Sequence, residues 1–276
     1  MRSAIVVTLS MAALLQADAA AQMRTVSMSR QLEDEDEVRV SVGYGAGELG
    51  IRSMDTGLLY RMSLEYDEDR YEPVVEYADH TLAVGIESLR GGRGRRDRDG
   101  GRLDLELARG VPMDLDLEFG AVRADVDLGG LALTGLELST GASESTIDVS
   151  EPSTASMETA RFEVGAAEFT ARGLGNLNAS RIEVDAGVGS LALWLDGEWR
   201  QDARVSIDMG LGSLELHVPE GVGLQLRKDS FLTSLDTEGL VKRGDVYESL
   251  DWSEAARRVT VDLDAAFGSV KVVWVR

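Results

Sequence analysis

Met113-Asp114-Leu115-Asp116-Leu117-Glu118-Phe119-Gly120 is the stretch that decides the fold. Apolar and acidic residues alternate through seven positions without a fault, and a glycine ends the run. Successive side chains of a β-strand point to opposite faces, so such a run has one buried face and one wet face. Val38-Arg39-Val40-Ser41-Val42 upstream and Leu103-Asp104-Leu105-Glu106-Leu107 just before it alternate in the same way. Helical patterns of any length are nearly absent.

Working outward from Gly120, the unit repeats. Gly120, Gly141, Gly165, Gly187 and Gly210 serve as register marks, spaced 21, 24, 22 and 23 residues apart. Three residues before each mark stand Leu117, Leu138, Phe162, Val184 and Ile207. Six residues after stand Val126, Ile147, Ala171, Leu193 and Leu216. All ten are apolar. Each unit reads as strand, glycine turn, strand, with glycine expected because a turn between strands often needs positive φ. Two marks extend to a G-x-G-S pair, Gly187-Val188-Gly189-Ser190 and Gly210-Leu211-Gly212-Ser213. Phe267-Gly268-Ser269-Val270 and Gly45-Ala46-Gly47-Glu48-Leu49 echo it near the two ends. A phosphate-binding loop would need a helix to follow, and a strand follows each time.

A unit this short cannot bury its apolar face alone, whereas stacked copies can, with like positions forming ladders. The expected class is all-β, a repetitive two-sheet parallel β-solenoid. A β-sandwich of hairpins is the alternative, because a repeat does not by itself fix strand direction.

The flanks of the repeat organise the rest of the chain. Residues 1–21 read as a secretory signal: Met1-Arg2, then an apolar run of about a dozen residues, too short to span a bilayer, then Ala19-Ala20-Ala21 before the expected cleavage. Residues 22–37 read as an acidic linker, 38–89 as an N-terminal β segment, 90–102 as an Arg/Gly-rich loop or linker, and 103–276 as the β-repeat domain with a C-terminal cap. The cap is expected over 219–258, with one helical turn near 253–258. The strand from Val259 onward is expected to close the fold. No second apolar run of spanning length follows the signal. The chain has no cysteine, which excludes thiol nucleophiles, thiolate metal sites and disulfides. Its formal charge of −21 repels nucleic acid and anionic lipid and favours basic partners.

Candidates for chemistry are few. His80 is expected in a turn and His217 on the outer face of a strand, too far apart in sequence to suggest a triad or a metal site. Asn178-Ala179-Ser180 matches a glycosylation sequon. Carboxylates are plentiful: Asp114, Asp116 and Glu118 on one strand, Asp125 and Asp127 on the next. Like charges across a ladder repel, so either arginines interleave or cations bind. These five residues are the candidate partner-binding face. No catalytic residue, cofactor or metal ligand set is expected.

Several stretches also carry a resemblance. They are Pro112-Met113-Asp114-Leu115-Asp116-Leu117, Leu138-Ser139-Thr140-Gly141-Ala142-Ser143, Gly173-Leu174-Gly175-Asn176, Asp185-Ala186-Gly187-Val188-Gly189 and Leu216-His217-Val218-Pro219-Glu220-Gly221-Val222-Gly223. Together they resemble the toast-rack domain of bacterial envelope proteins of the LiaF and adhesin-like type. The resemblance implies a non-enzymatic envelope or cell-surface protein linked to adhesion or envelope-stress sensing. Family members in stress signalling often carry transmembrane helices, which this chain lacks after its signal. The expectation is therefore an exported periplasmic or surface protein that binds an envelope protein or polymer, or associates with itself. A hydrolase acting on envelope polysaccharide through surface carboxylates is the alternative, and a structural surface-layer component a third reading.

Overall fold

The alternating runs become strands, and a computed structural model describes them for residues 23–89, 101–236 and 238–275. In chain order the strands are β1 (Met23–Gln31), β2 (Val38–Met54), β3 (Leu58–Asp67), β4 (Tyr71–Ala78), β5 (Thr81–Ser88), β6 (Arg102–Ala108), β7 (Pro112–Asp127) and β8 (Ala132–Thr140). They continue as β9 (Glu144–Asp148), β10 (Met157–Arg172), β11 (Ala179–Trp194), β12 (Ala203–Pro219), β13 (Val222–Asp236), β14 (Leu240–Arg243), β15 (Val246–Ser249) and β16 (Arg257–Val275).

Each long strand folds over at its glycine. In β7 the buried positions are Met113, Leu115, Leu117 and Phe119, then Val122, Ala124 and Val126, so the buried parity shifts across Gly120. A shift of parity at a corner lets both halves face one core. Phe162 and Phe169 of β10 lie on opposite sides of Gly165, yet their ring centroids are 5.8 Å apart. A straight strand would separate residues seven apart by about 23 Å. Two sheets therefore face each other across one apolar core, joined along the glycine corner.

The rungs pair in parallel and in register. Leu117, Leu138, Phe162, Val184, Ile207 and Leu263 form one inward ladder. Val126, Ile147, Ala171, Leu193, Leu216 and Val272 form its counterpart on the second sheet. Both ladders are buried. The structure is thus a parallel two-sheet solenoid, not a sandwich of hairpins.

Several expectations are corrected. The glycine marks do not have positive φ. They are needed because rungs approach closely: a Cβ on Gly210 would sit 2.6 Å from the Gly187 carbonyl oxygen. Positive φ belongs to the second glycine of the G-x-G pair, as at Gly212 with φ +155. Part of the 22–37 stretch is strand, since β1 pairs antiparallel with β3. The expected helical turn near 253–258 is instead a hydrogen-bonded turn, in which Glu254 N and Ala255 N both donate to the Asp251 carbonyl.

The largest correction concerns order. The last strand, β16, does not close the end of the stack but inserts between β12 and β13. Its Phe267-Gly268-Ser269 matches Leu211-Gly212-Ser213 rung for rung, whereas β13 carries no corner glycine. The N-terminal end uses the same device. β5 and β6 pair with the two halves of β2 and lie outside it, although they follow it in sequence. Antiparallel strands cover both outermost rungs: β4 on β5, β3 on β6 and β15 on β13. They occupy edges that would otherwise recruit further chains. The signal stretch 1–21 and residues 90–100 of the arginine-rich stretch lie outside the described residues.

Candidate binding surface at the glycine corner

Outward positions of the first sheet form strips that run along the stack, and adjacent strips differ in charge logic. Four residues before the glycine, the strip reads Asp116, Glu137, Arg161, Glu183, Ser206, Asp262 and Arg227. Arginines interleave there. Arg161 donates to Glu183 at 2.7 Å, and Arg227 donates to Asp262 at 3.0 Å. Cross-rung pairs recur elsewhere, as between Arg123 and Glu144 and between Arg61 and Glu106.

Two residues before the glycine, the strip reads Glu118, Ser139, Glu163, Asp185, Asp208, Asp264 and Asp229. The last five are consecutive exposed carboxylates with no basic residue between them. Among the described residues no ion pair reaches any member of this strip. Among the same residues, its one side-chain hydrogen bond runs from Ser139 Oγ to Glu163 at 3.3 Å. Parallel rungs lie about 4.8 Å apart, so the carboxylates repel along the whole row. Partial desolvation, then the flanking Asp185 and Asp264, push the Asp208 carboxyl above its usual range.

This strip walls an open groove. Glu118, Glu163, Asp185, Asp208 and Asp264 line a trough of about 960 Å³, floored by Gly120, Gly141, Gly165, Gly187 and Gly210. The trough exists because the floor residues have no side chains. Every carboxylate lining it comes from the one strip. Just past the floor, the next residue of each rung forms an apolar row: Ala166, Val188, Leu211 and Phe267 in register. Val188, Leu211 and Phe267 are 52%, 50% and 45% exposed, high for large apolar side chains in a protein with so complete a core.

The five expected face residues are not brought together. Asp114 is held by Arg39 at 3.1 Å, two strips away from the groove. Asp116 is exposed on the mixed strip, and only Glu118 lines the groove. Asp125 and Asp127 follow the corner and belong to the other sheet. Asp127 is occupied structurally, because its Oδ1 accepts from Gly129 N at 2.9 Å and from Ser150 Oγ at 2.8 Å.

The other candidates stand apart from the groove. His80 sits with Asp79 in the β4–β5 turn, both at positive φ. His217 stacks flat on Trp194 at 3.9 Å, and Arg172 lies over the same indole. Asn178 spends its amide on the Ala155 carbonyl at 2.9 Å. Among the described residues, no group of three or more His, Cys, Asp or Glu could hold a metal ion. Within the same residues, no helix is long and apolar enough to cross a membrane.

Comparison with known proteins gives a family. No curated protein matches the chain. A candidate cell adhesion protein from Clostridium sporogenes ATCC 15579 is 16% identical, with a TM-score of 0.48, covering 91% of this chain and 100% of its own. A candidate adhesin from Bacteroides fragilis NCTC 9343 is 11% identical, with a TM-score of 0.38, covering 91% and 97%. A candidate lipid binding protein from Parabacteroides distasonis ATCC 8503 is 12% identical, with a TM-score of 0.26, covering 92% and 97%. The family model for the N-terminal domain of toast_rack, DUF2154, matches residues 18–172 and 161–217. The chain belongs to the toast-rack family.

Proposed function

We propose that this is an exported, non-catalytic module of the cell envelope, adhesin-like or scaffolding, that binds a basic partner through its acidic outer surface. One observation carries the reading: a strip of like charges is left unrelieved along a groove, while the neighbouring strip of the same sheet is neutralised by arginines. Natural proteins break local rules of stability chiefly at functional sites, and a row of unrelieved like charge is such a break. The groove strip takes over as the principal contact from the five residues first nominated, of which Glu118 belongs to it. Asp116 and Asp125 extend the negative field around it and steer basic partners at low salt.

The residues speak against the hydrolase alternative. A glycosidase needs two carboxylates flanking the scissile bond from opposite sides. Here all the groove carboxylates stand on one wall. Export is supported by the three-part N-terminal sequence and by the envelope association of the family resemblance.

The test is adsorption of the purified mature protein to its own envelope fraction, measured against salt and against the triple variant Asp185→Asn, Asp208→Asn, Asp264→Asn. The reading expects binding that weakens as salt rises and is strongly reduced in the variant. Turnover of envelope polysaccharide by the purified protein, abolished by one carboxylate-to-amide change, would overturn it.

A further inference from the structure

Two rows accompany the glycine floor: a carboxylate row that lines the trough, and an apolar row one residue past the floor, in register from rung to rung. One is the carboxylate row Glu163, Asp185, Asp208, Asp264. The other is the apolar row Val188, Leu211, Phe267, about half exposed. The trough runs across seven rungs, from Gly43 to Ala266, and the apolar row follows it over three of them. Seven rungs advance about 29 Å, the span of about nine extended residues.

The chemistry of the rows sorts the classes of ligand. Carboxylates spaced one rung apart along a wall do not converge on a single cation, which needs oxygens gathered around it. Anionic lipid head groups and nucleic acid are repelled. A neutral sugar brings no positive charge to relieve the carboxylate row. A simple polycation would satisfy the carboxylates and leave the apolar row in water. What answers both rows is a chain with basic groups on one side and apolar groups on the other. An extended polypeptide has that form when basic and apolar residues alternate, because its side chains point to opposite sides with period two.

We propose that the glycine corner is a docking trough for an extended polypeptide segment of alternating basic and apolar residues. Its Lys or Arg side chains lie toward Asp185, Asp208 and Asp264, and its apolar side chains cover Val188, Leu211 and Phe267. The proposal rests on the binding reading above and names the partner class for it. Charge complementarity selects the occupant, and the exposed apolar row gives it a reason to exclude water. Strand addition is not the mode, since the rungs beneath the trough already pair with each other throughout. Same-side residues of an extended peptide recur about every 6.7 Å, against about 4.8 Å for rungs, and the long, flexible stems of Lys and Arg absorb the mismatch.

The experiment uses the mature protein and three labelled dodecapeptides: alternating Lys–Val, alternating Lys–Ser and alternating Glu–Val. Binding is followed by fluorescence anisotropy from low to moderate salt, with thermal melts as the control for folding. The expected result is that Lys–Val binds at least tenfold tighter than Lys–Ser, and that Glu–Val does not bind. Val188→Ser with Leu211→Ser should erase the advantage of Lys–Val over Lys–Ser while leaving Lys–Ser binding unchanged. Asp185→Asn with Asp208→Asn should weaken both basic peptides and flatten their salt dependence. Equal binding of Lys–Val and Lys–Ser, with no effect of the Ser variants, would overturn the proposal and leave the corner a purely electrostatic surface. No binding of any peptide, while the protein still adsorbs to the envelope in a salt-dependent way, would overturn it too and leave the broader binding reading standing.

Discussion

At the residue scale, the corner glycines and the strip beside them make opposite demands. Gly212 combines two constraints: φ of +155, and a Cβ that would fall 1.9 Å from the Gly189 carbonyl oxygen. Neither can relax without parting two rungs. Gly212→Ala should therefore cost about 3 kcal/mol in chemical denaturation. Gly221→Ala, at φ +92 but with open space around it, should cost about 1 kcal/mol. Equal costs would mean that backbone strain alone, and not rung spacing, sets the requirement. Asp208 is the reverse case, a residue whose removal helps the fold. Its carboxyl is pushed upward by partial desolvation and by Asp185 and Asp264. A raised carboxyl favours folding at low pH and opposes it as pH rises through the folded value. Asp208→Asn should thus stabilise by about 0.5 kcal/mol at pH 7, and the gain should fade as the pH is lowered and the native side chain takes up its proton. A gain independent of pH would point to a packing effect instead. The strip was partly legible in the sequence, because Glu118, Glu163, Asp185 and Asp208 each stand two residues before a register glycine. Along a single strand, however, Asp114, Asp116 and Glu118 look equivalent. Pairing between rungs is what sets Asp114 against Arg39 and leaves Glu118 on the groove.

At the scale of the element, each rung is a strand bent once, with inward and outward positions fixed by period two. Ile207 is 1% exposed and lies between Val184 and Leu263 on the inward ladder. Ile207→Asp would bury an uncompensated charge and should cost several kcal/mol. Arg204 faces outward and reaches Asp262 only at 3.7 Å, so Arg204→Ala should stay within about 0.5 kcal/mol. Equal melting shifts for the two would refute the register. This level of structure was the most legible, since alternation gives the buried face and the glycine spacing gives the repeat. The physical role of the mark glycines was not. A glycine in a sequence reports that a side chain is unwanted, without saying whether φ or a neighbouring backbone forbids it.

For the whole molecule, the order of rungs departs from the order of the chain at both ends. The strand β16 intervenes between β12 and β13, which places Ser269 next to Ser213, with Ser234 one rung further out. In this cysteine-free chain, paired cysteines can read that order directly. Ser213→Cys with Ser269→Cys should cross-link on mild oxidation, because adjacent rungs fall within disulfide reach. Ser213→Cys with Ser234→Cys, about 9.6 Å apart across two rungs, should not. Preferential linking of 213 to 234 would restore stacking in chain order. Sequence could not supply this arrangement, because a run of similar strands fixes the partners of middle rungs and leaves the end rungs free to exchange places. Long-range fit decides them, here the match of Phe267-Gly268-Ser269 to Leu211-Gly212-Ser213.

The central claim joins these scales: the carboxylate strip of the glycine corner is kept for binding, at a cost to the fold. The triple variant Asp185→Asn, Asp208→Asn, Asp264→Asn tests both halves in one preparation, by thermal melting at pH 7 and by adsorption to the envelope fraction at low salt. The account predicts a higher Tm than the native protein together with a strong loss of adsorption. A lower Tm, or adsorption equal to the native protein, would contradict it.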